Sequence, residues 1–320
     1  MSSVNLSVIV PVHNEIQSLE ELNRRICAAL KEFCGEWETI FVDDGSTDGS
    51  SELLDSFSVE NSRIKVIHFR RNFGQTAAMM AGIDFSKGEV IIPLDGDLQN
   101  DPDDIPLLYS KLCEGYDVVS GWRKNRMDNP ISRTLPSKIA NSIISSISGV
   151  KLNDYGCTLK AYRREVIKSV KLYGEMHRFI PIYASWMGAR VTEVPVSHKR
   201  REFGSSHYGL KRTFKVVLDL IVVKFLSSYL QNPIYIFGGF GLLSFLMSFL
   251  SFGFMLYYKF WGGKSFIETP LPFLVVLFVL MGFMSIFIGL LAELQIRTYY
   301  ESQHKRVYQV ESTRNLGKTV

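Results

Sequence analysis

Disulfide chemistry has little to work with in this chain. Four cysteines in 320 residues, Cys27, Cys34, Cys113 and Cys157, include no Cys-x-x-Cys pair, which excludes a disulfide-rich scaffold and fits packed free thiols in a reducing compartment. No charged N-terminal region followed by a short apolar stretch and a cleavage site opens the chain, so residues 1–195 are expected to remain unexported. A strong excess of one charge sign is also missing. A net charge of +4 and a pI near 8.7 fall far short of a basic footprint, so no nucleic acid is expected as a partner. The glycine pattern G-x-G-x-x-G does not follow the first apolar run, which argues against a dinucleotide site. Charge itself is absent from two long stretches, Phe225 to Tyr258 and Thr269 to Ala292.

What is present is partitioned. The averages, 46% hydrophobic and 21% charged residues, conceal three parts. Residues 1–195 hold 22 basic and 26 acidic groups, residues 196–230 seven and two, and residues 231–320 seven and four. Length at ~150 residues per domain suggests about two domains, or one domain and an appendage. Each uncharged stretch exceeds the ~20 residues that cross a hydrocarbon core as a helix. Spans are expected near Ile234 to Tyr258 and Pro270 to Ala292, with a pair of buried helices as the alternative. The loop between them carries only Lys259 and Lys264. Seven basic groups precede the first span, and Arg297, Lys305, Arg306, Arg314 and Lys318 follow the second. Cations stay on the cytoplasmic side, which predicts a multi-pass protein of the cell membrane with both termini cytoplasmic. Leu210 to Leu230 alternates cations with Phe214, Val217, Leu218, Ile221, Val222 and Phe225, the pattern of an interfacial amphipathic helix. Asn141 to Ile147 is a candidate for a second such helix, or for one packed against the front part of the chain.

The front of the chain alternates short apolar runs with helical patterns. Strands are expected at Leu6 to Val10, ended by Pro11, and at Thr39 to Val42, Ile64 to Phe69, Val90 to Leu94 and Asp117 to Ser120. Helices are expected from Ser18, where Ser18 and Glu21 suit a capping box, and over Asp48 to Phe57, Thr76 to Phe85 and Pro102 to Cys113. Such alternation implies an α/β fold with a mostly parallel sheet covered on both faces, whose ligands bind at the carboxyl ends of the strands. Acidic and amide groups gather there: Pro11-Val12-His13-Asn14-Glu15, Asp43-Asp44-Gly45-Ser46-Thr47-Asp48, Arg70-Arg71-Asn72-Phe73-Gly74 and Asp95-Gly96-Asp97-Leu98-Gln99. Clustered carboxylates repel unless a cation or hydrogen-bonding ligand lies among them. Asp44 to Asp55 mimics part of a calcium loop, but a strand precedes it where a calcium loop needs a helix. Asp95-Gly96-Asp97 suits a hard divalent ion that shares its sphere with substrate phosphates, the help a diphosphate leaving group requires.

Taken in order, these four segments resemble the family 2 inverting glycosyltransferases with the GT-A fold. Within that family the chain is similar to the polyprenyl-phosphate glycosyltransferases, the group of dolichol-phosphate mannose synthases and GtrB-type bactoprenol glucosyltransferases. The resemblance implies a Rossmann-like GT-A catalytic domain over 1–208, an amphipathic juxtamembrane helix over 209–231 and two transmembrane helices with a cytoplasmic tail over 232–320. It implies transfer of one hexose, with UDP-glucose the expected donor, to undecaprenyl phosphate at a lipid bilayer, with Mg²⁺ or Mn²⁺ as cofactor and a homo-oligomer as the assembly.

Site roles follow from the same resemblance. Asp43 and Asp44, with Pro11, Asn14, Glu15, Gly45, Ser46 and Asn72, would bind the nucleotide sugar. Asp97 would be the main metal ligand, with Asp95 and Gln99 supporting it and the sugar diphosphate. Asp154, in the segment Asp154-Tyr155-Gly156-Cys157-Thr158-Leu159-Lys160, would lie near the reacting groups. Leu159-Lys160 stands where family members usually have Phe-Arg. Arg201 would face the phosphates from the stretch His198-x-x-Arg201-x-x-Gly204-x-Ser206-x-Tyr208. Arg123, Arg133, Ser137, Ser206 and Tyr208 would hold the acceptor phosphate, the arginines having solvated or lipid-facing cations as their alternative. A lipid phosphate ionises a second time near pH ~6 and needs no strong base, so Asp154 is expected to orient or assist weakly. A processive polysaccharide synthase is the nearest alternative, but its Gln-x-x-Arg-Trp pattern is absent. A scaffold or transporter is the other, and neither span carries the ionisable groups that mark transport paths.

Overall fold

The computed structural model describes residues 4–124, 141–142, 144–146, 148–170, 176–199, 234–302 and 308–316. It divides into two compact units, Met1–Ile221 with Arg306–Val320, and Val222–Lys305.

The first unit is built on an eight-stranded sheet. Its strands are β1 (Leu6–Val12), β2 (Trp37–Asp43), β3 (Ile64–Phe69), β4 (Val90–Pro93), β5 (Val118–Trp122), β6 (Lys160–Arg163), β7 (Val191–Pro195) and β8 (Val310–Arg314). Spatial order is β7-β5-β6-β4-β1-β2-β3-β8. Strands β4, β1, β2 and β3 run parallel, and β6 and β8 enter antiparallel. Chain order reverses at β1, between β2 and β4, and such a switch point opens a ligand crevice at the carboxyl ends of the strands.

Side-chain alternation along β1 explains the two covered faces. Leu6, Val8, Val10 and Val12 enter one apolar cluster with Leu19, Leu22 and Ile26 of α1 (Ile16–Ala29) and Leu54 of α2 (Ser50–Glu60). Ile9 enters the other, with Ala77, Ala78 and Ala81 of α3 (Gln75–Phe85). Helix α3 approaches closely because its inner face is small. A Cβ on Gly82 would stand 2.3 Å from Ile9 Cγ2, so only glycine fits. Helices α4 (Ile105–Cys113), α5 (Arg164–Ser169) and α6 (Ile180–Trp186) complete the layers.

Most boundaries shift by a few residues from the sequence reading, and two of the shifts have a clear physical reason. Strand β1 continues through Pro11 to Val12, pairing Pro11 with Val42 of β2. The β4 ladder has already ended at Ile9 and Pro93, so the missing proline N–H interrupts nothing on that side. Helix α1 begins at Ile16, before the expected capping box. Its first N–H donates to Asp48 Oδ2 at 3.1 Å, and the Ser18 hydroxyl reaches Gly96 O at 2.7 Å instead of capping the helix. Residues 141–142, 144–146 and 148 are helical, with Ile144 buried and Asn141 Nδ2 donating to Asn153 O at 2.8 Å.

The second unit contains α7 (Ile234–Phe260) and α8 (Leu271–Ser302). Phe237–Phe260 and Leu271–Ala292 are long and apolar enough to cross a membrane, and little of either is buried by protein. Large apolar side chains such as Leu242, Phe249, Phe273 and Phe287 are exposed, the surface a span presents to lipid. The expected amphipathic helix at 209–231 lies outside the described residues.

Candidate active site

The loops after β1 and β2 are clasped together. Asn14, held at a φ of 56°, donates its N–H to Ser46 Oγ at 3.0 Å and accepts from Thr47 N at 2.8 Å through Oδ1. Gly45 has a φ of 69°, and a Cβ there would stand 2.7 Å from the backbone of Arg71. This close approach brings the loop after β2 against the loop after β3, at whose rim Asn72 is exposed.

The paired aspartates of β2 have different environments. Asp43 is buried and accepts from Ser46 N at 2.9 Å, Ser51 Oγ at 2.5 Å and His68 Nδ1 at 2.9 Å. Burial acts to raise its pKa, but His68 and the two serines outweigh that and hold it down at about 2. Asp44 accepts from Phe73 N at 2.6 Å and Gly74 N at 2.8 Å, so its carboxylate secures the start of α3. Burial nevertheless leaves the Asp44 pKa above its ordinary value. Each oxygen of Asp44 keeps acceptor capacity for a ligand.

Across the crevice, the loop after β4 carries Asp95, Gly96 and Asp97. Asp95 Oδ1 accepts from Gln75 Nε2 at 2.8 Å, and Asp97 Oδ1 accepts from Gln99 N at 3.1 Å. Burial dominates at Asp95 and raises its pKa, against a hydrogen bond from Thr158 and the nearby charges of Arg123, Arg178 and Lys160. No group of three or more His, Cys, Asp or Glu suited to a metal occurs among the described residues. Two carboxylates on one loop fit a hard divalent ion that completes its sphere with substrate phosphate and water. Opposite Gly96, Pro11 O would lie 3.4 Å from an added Cβ and Glu15 Cγ 3.8 Å, which sets the loops after β1 and β4 side by side.

Asp154 and Arg123, expected in separate roles, form one ion pair. Arg123 Nε and Nη2 donate to the two carboxylate oxygens at 2.7 and 2.9 Å, with Asp154 buried. Such a fork fixes both groups in one plane. Gly156 N also donates to Asp154 Oδ1 at 3.1 Å. Lys160 is buried beneath this turn, its amine donating to Cys157 O and, at 3.3 Å, to Tyr155 O. Burial lowers its pKa to about 8. The amine therefore staples the segment that presents Asp154 and Thr158.

After β7 the chain returns to the acidic loop. Asn100 and His198 form an isolated bridge, and Lys199 N donates to Gln99 O at 2.9 Å. Arg133, Ser137, Arg201, Ser206 and Tyr208 lie outside the described residues. Gln75, Thr158, Lys160, Arg178 and His68 enter the site without having been assigned to it. Thr158 and Lys160 belong to a segment already notable as a motif, and Gln75 directly follows another. Arg178 and His68 carried no local signal, since a lone cation after a loop and a histidine inside an apolar strand read as ordinary.

The sequence profile described as Glycosyl transferase family 2 matches residues 7–171. The chain belongs to that family. Its relatives match far beyond the profile. A dodecaprenyl-phosphate galacturonate synthase from Rhizobium johnstonii is 44% identical over 304 residues, covering 94% of this chain and 90% of the relative. An undecaprenyl-phosphate 4-deoxy-4-formamido-L-arabinose transferase from Salmonella paratyphi A is 40% identical over 313 residues, covering 96% and 92%. Among solved structures, glucosyl-3-phosphoglycerate synthase from Mycobacterium tuberculosis, in complex with Mn²⁺, UDP and phosphoglyceric acid, has a TM-score of 0.53 at 16% identity, over 70% of this chain and 78% of that one. A mannosyltransferase from Pyrobaculum calidifontis in complex with GDP-mannose and Mn²⁺ has a TM-score of 0.51 at 18% identity, covering 70% and 64%. At such identities the likeness shows the fold, GT-A, and the family makes the chain a glycosyltransferase.

Proposed function

We propose that this glycosyltransferase moves one sugar from a nucleotide sugar to a polyprenyl phosphate at the membrane surface. An acceptor phosphate oxygen forms a bond to the anomeric carbon as the bond from that carbon to the diphosphate breaks. The products are an inverted polyprenyl-phosphate sugar and a nucleoside diphosphate. The observation that carries this reading is the extent of similarity to polyprenyl-phosphate sugar transferases, 94–96% of the chain, which takes in both apolar helices.

Within it, the loops after β1 and β2 bind the donor's nucleoside, and Asp95, Asp97 and Gln99 hold a divalent ion, Mg²⁺ or Mn²⁺. Such an ion stabilises charge growing on the departing diphosphate. Asp154 orients Arg123 toward the acceptor phosphate, and Arg133, Ser137, Arg201, Ser206 and Tyr208 complete that phosphate's surroundings. Since the phosphate is largely ionised at neutral pH, Asp154 need not remove a proton. Pairing of β8 with β3 supports a topology in which the two spans return the chain to the face it left. Undecaprenyl phosphate is the acceptor and UDP-glucose the first donor to test. The relatives' names widen the set to galacturonate and 4-deoxy-4-formamido-L-arabinose donors.

Membranes containing the chain should be incubated with each radiolabelled donor, undecaprenyl phosphate and Mn²⁺ or Mg²⁺, and the lipid extracted. A labelled, acid-labile glycolipid with one donor is expected. Its absence with every donor would sink the reading.

A further inference from the structure

Strand β8 comes after the second apolar helix, yet it forms the edge of the catalytic sheet. It pairs antiparallel with β3, Val66 opposite Arg314 and His68 opposite Ser312. Tyr308 stacks on Phe69 with ring centroids 5.3 Å apart, and its hydroxyl donates to Asp84 Oδ2 at 2.7 Å. Asn315 Nδ2 donates to Ser58 O at 2.6 Å and Ile64 O at 2.9 Å. The tail is thus fastened at both ends.

Between those fastenings it reaches the carboxyl end of β2. An open cavity of about 360 Å³ is lined by Gly45, Ser46 and Thr47 of the loop after β2, by Glu52 and Arg70, and by Glu311 and Ser312 of the tail. Asp43, His68 and Asp55 form its floor and are occupied with one another. His68 Nδ1 bonds Asp43 at 2.9 Å, His68 Nε2 bonds Asp55 at 3.1 Å, and Arg314 Nη2 donates to Asp55 Oδ2 at 2.9 Å.

Resting on the donor reading above, we propose that the tail is a wall of the donor site, with Glu311 and Ser312 hydrogen-bonding the nucleoside of the nucleotide sugar. The chemistry of the lining selects that part of the donor. The two carboxylates at Glu311 and Glu52 outnumber the one cation, Arg70, and accept from ribose hydroxyls or base N–H groups, while Arg70 donates to a base carbonyl and the hydroxyls at Ser46, Thr47 and Ser312 serve either polarity. The diphosphate is directed instead toward the loop of Asp95 and Asp97. Donor recognition then draws on residues from both sides of the membrane-helix pair in sequence, and the tail is a specificity-determining element.

The test uses the full-length chain in detergent. UDP, GDP, CDP and dTDP, each with Mn²⁺, are titrated against the wild type and against Glu311→Ala, Ser312→Ala and Glu311→Gln, alongside inorganic pyrophosphate with Mn²⁺. For the preferred nucleotide, Glu311→Ala should raise Kd about tenfold, the size of one hydrogen bond to a charged group. Ser312→Ala should raise it less and Glu311→Gln should recover part of the loss, while pyrophosphate affinity and acceptor KM stay unchanged. Nucleotide affinity unchanged in both alanine variants would overturn the tail's role. Equal weakening of pyrophosphate would do the same, by reducing the effect to structure. Should Glu311→Ala fail to fold, Ser312→Ala and Glu311→Gln carry the test. A wild type that binds no nucleoside diphosphate would overturn the donor reading itself, a result distinct from both.

Discussion

Asp43 and Asp95, on the two banks of the crevice, are held in opposite ways. On the β2 bank Asp43 receives three hydrogen bonds from fixed groups and its pKa falls to about 2. On the β4 bank burial raises the Asp95 pKa in spite of Thr158, Arg123, Arg178 and Lys160. A carboxylate already satisfied by its own protein is a strut, whereas one whose charge remains costly is poised for a partner that arrives with the substrate. By this difference Asp43 is a strut of the first bank, while Asp44 beside it, raised by burial as Asp95 is, keeps acceptor capacity for a ligand.

The sharpest way to break that contrast is at the β4 loop. Asp97→Ala should lower turnover by ~10²-fold or more, the scale of losing one stabiliser of transition-state charge, with little change in thermal stability. Unchanged turnover would remove Asp97 from the reaction. Next comes Arg123→Ala, which strands Asp154 in a buried position. Breaking such a pair costs ~3–5 kcal/mol, so the unfolding midpoint and turnover should both drop, and an unaltered midpoint would contradict the pairing.

Asp43 and His68 should respond in stability more than in chemistry. Depression of Asp43 from 3.8 to about 2 corresponds to about 2 kcal/mol by linkage. That contribution is present above the unfolded pKa and is lost as pH falls through the folded one. Asp43→Asn should therefore destabilise the chain at pH 7 and flatten its acid unfolding between pH ~4 and ~2. His68 has the reverse sign. Burial lowers its pKa, but the hydrogen bonds it donates to Asp43 and Asp55 prevail and raise it above 6.5. Its contribution is complete below the unfolded pKa and fades as pH rises through the folded value, with Asp43, Asp55 and, through Asp55, Arg314 facing the ring. A wild-type unfolding midpoint that falls across this range, and a flat profile for His68→Asn, are the expected results. The smallest effect belongs to Arg314→Ala, whose half-exposed pair with Asp55 should contribute under ~1 kcal/mol to stability.

Much of the first bank was readable in sequence because local patterns dictate it. Short apolar runs such as Leu6 to Val10 and Ile64 to Phe69 specify strands, and the acidic segments follow strand ends. Pro11 misled because a proline terminates a strand only where its neighbour still needs the missing N–H. Ser18 misled because its hydroxyl had a better partner in Gly96 O, 78 residues away in sequence. The Arg123–Asp154 fork and the cations near Asp95 come from contacts distant in sequence, which periodicity cannot report. Strand β8 was missed for a similar reason. Val310 to Arg314 is short and polar, and only the open edge of β3 makes it a strand.

The most direct measurement is the mass of the lipid product made by purified full-length chain from undecaprenyl phosphate, each candidate donor and Mn²⁺. With the preferred donor the acceptor mass should increase by one sugar residue and no more. Lipid of unchanged mass with every donor, or a ladder of added sugars, would contradict it.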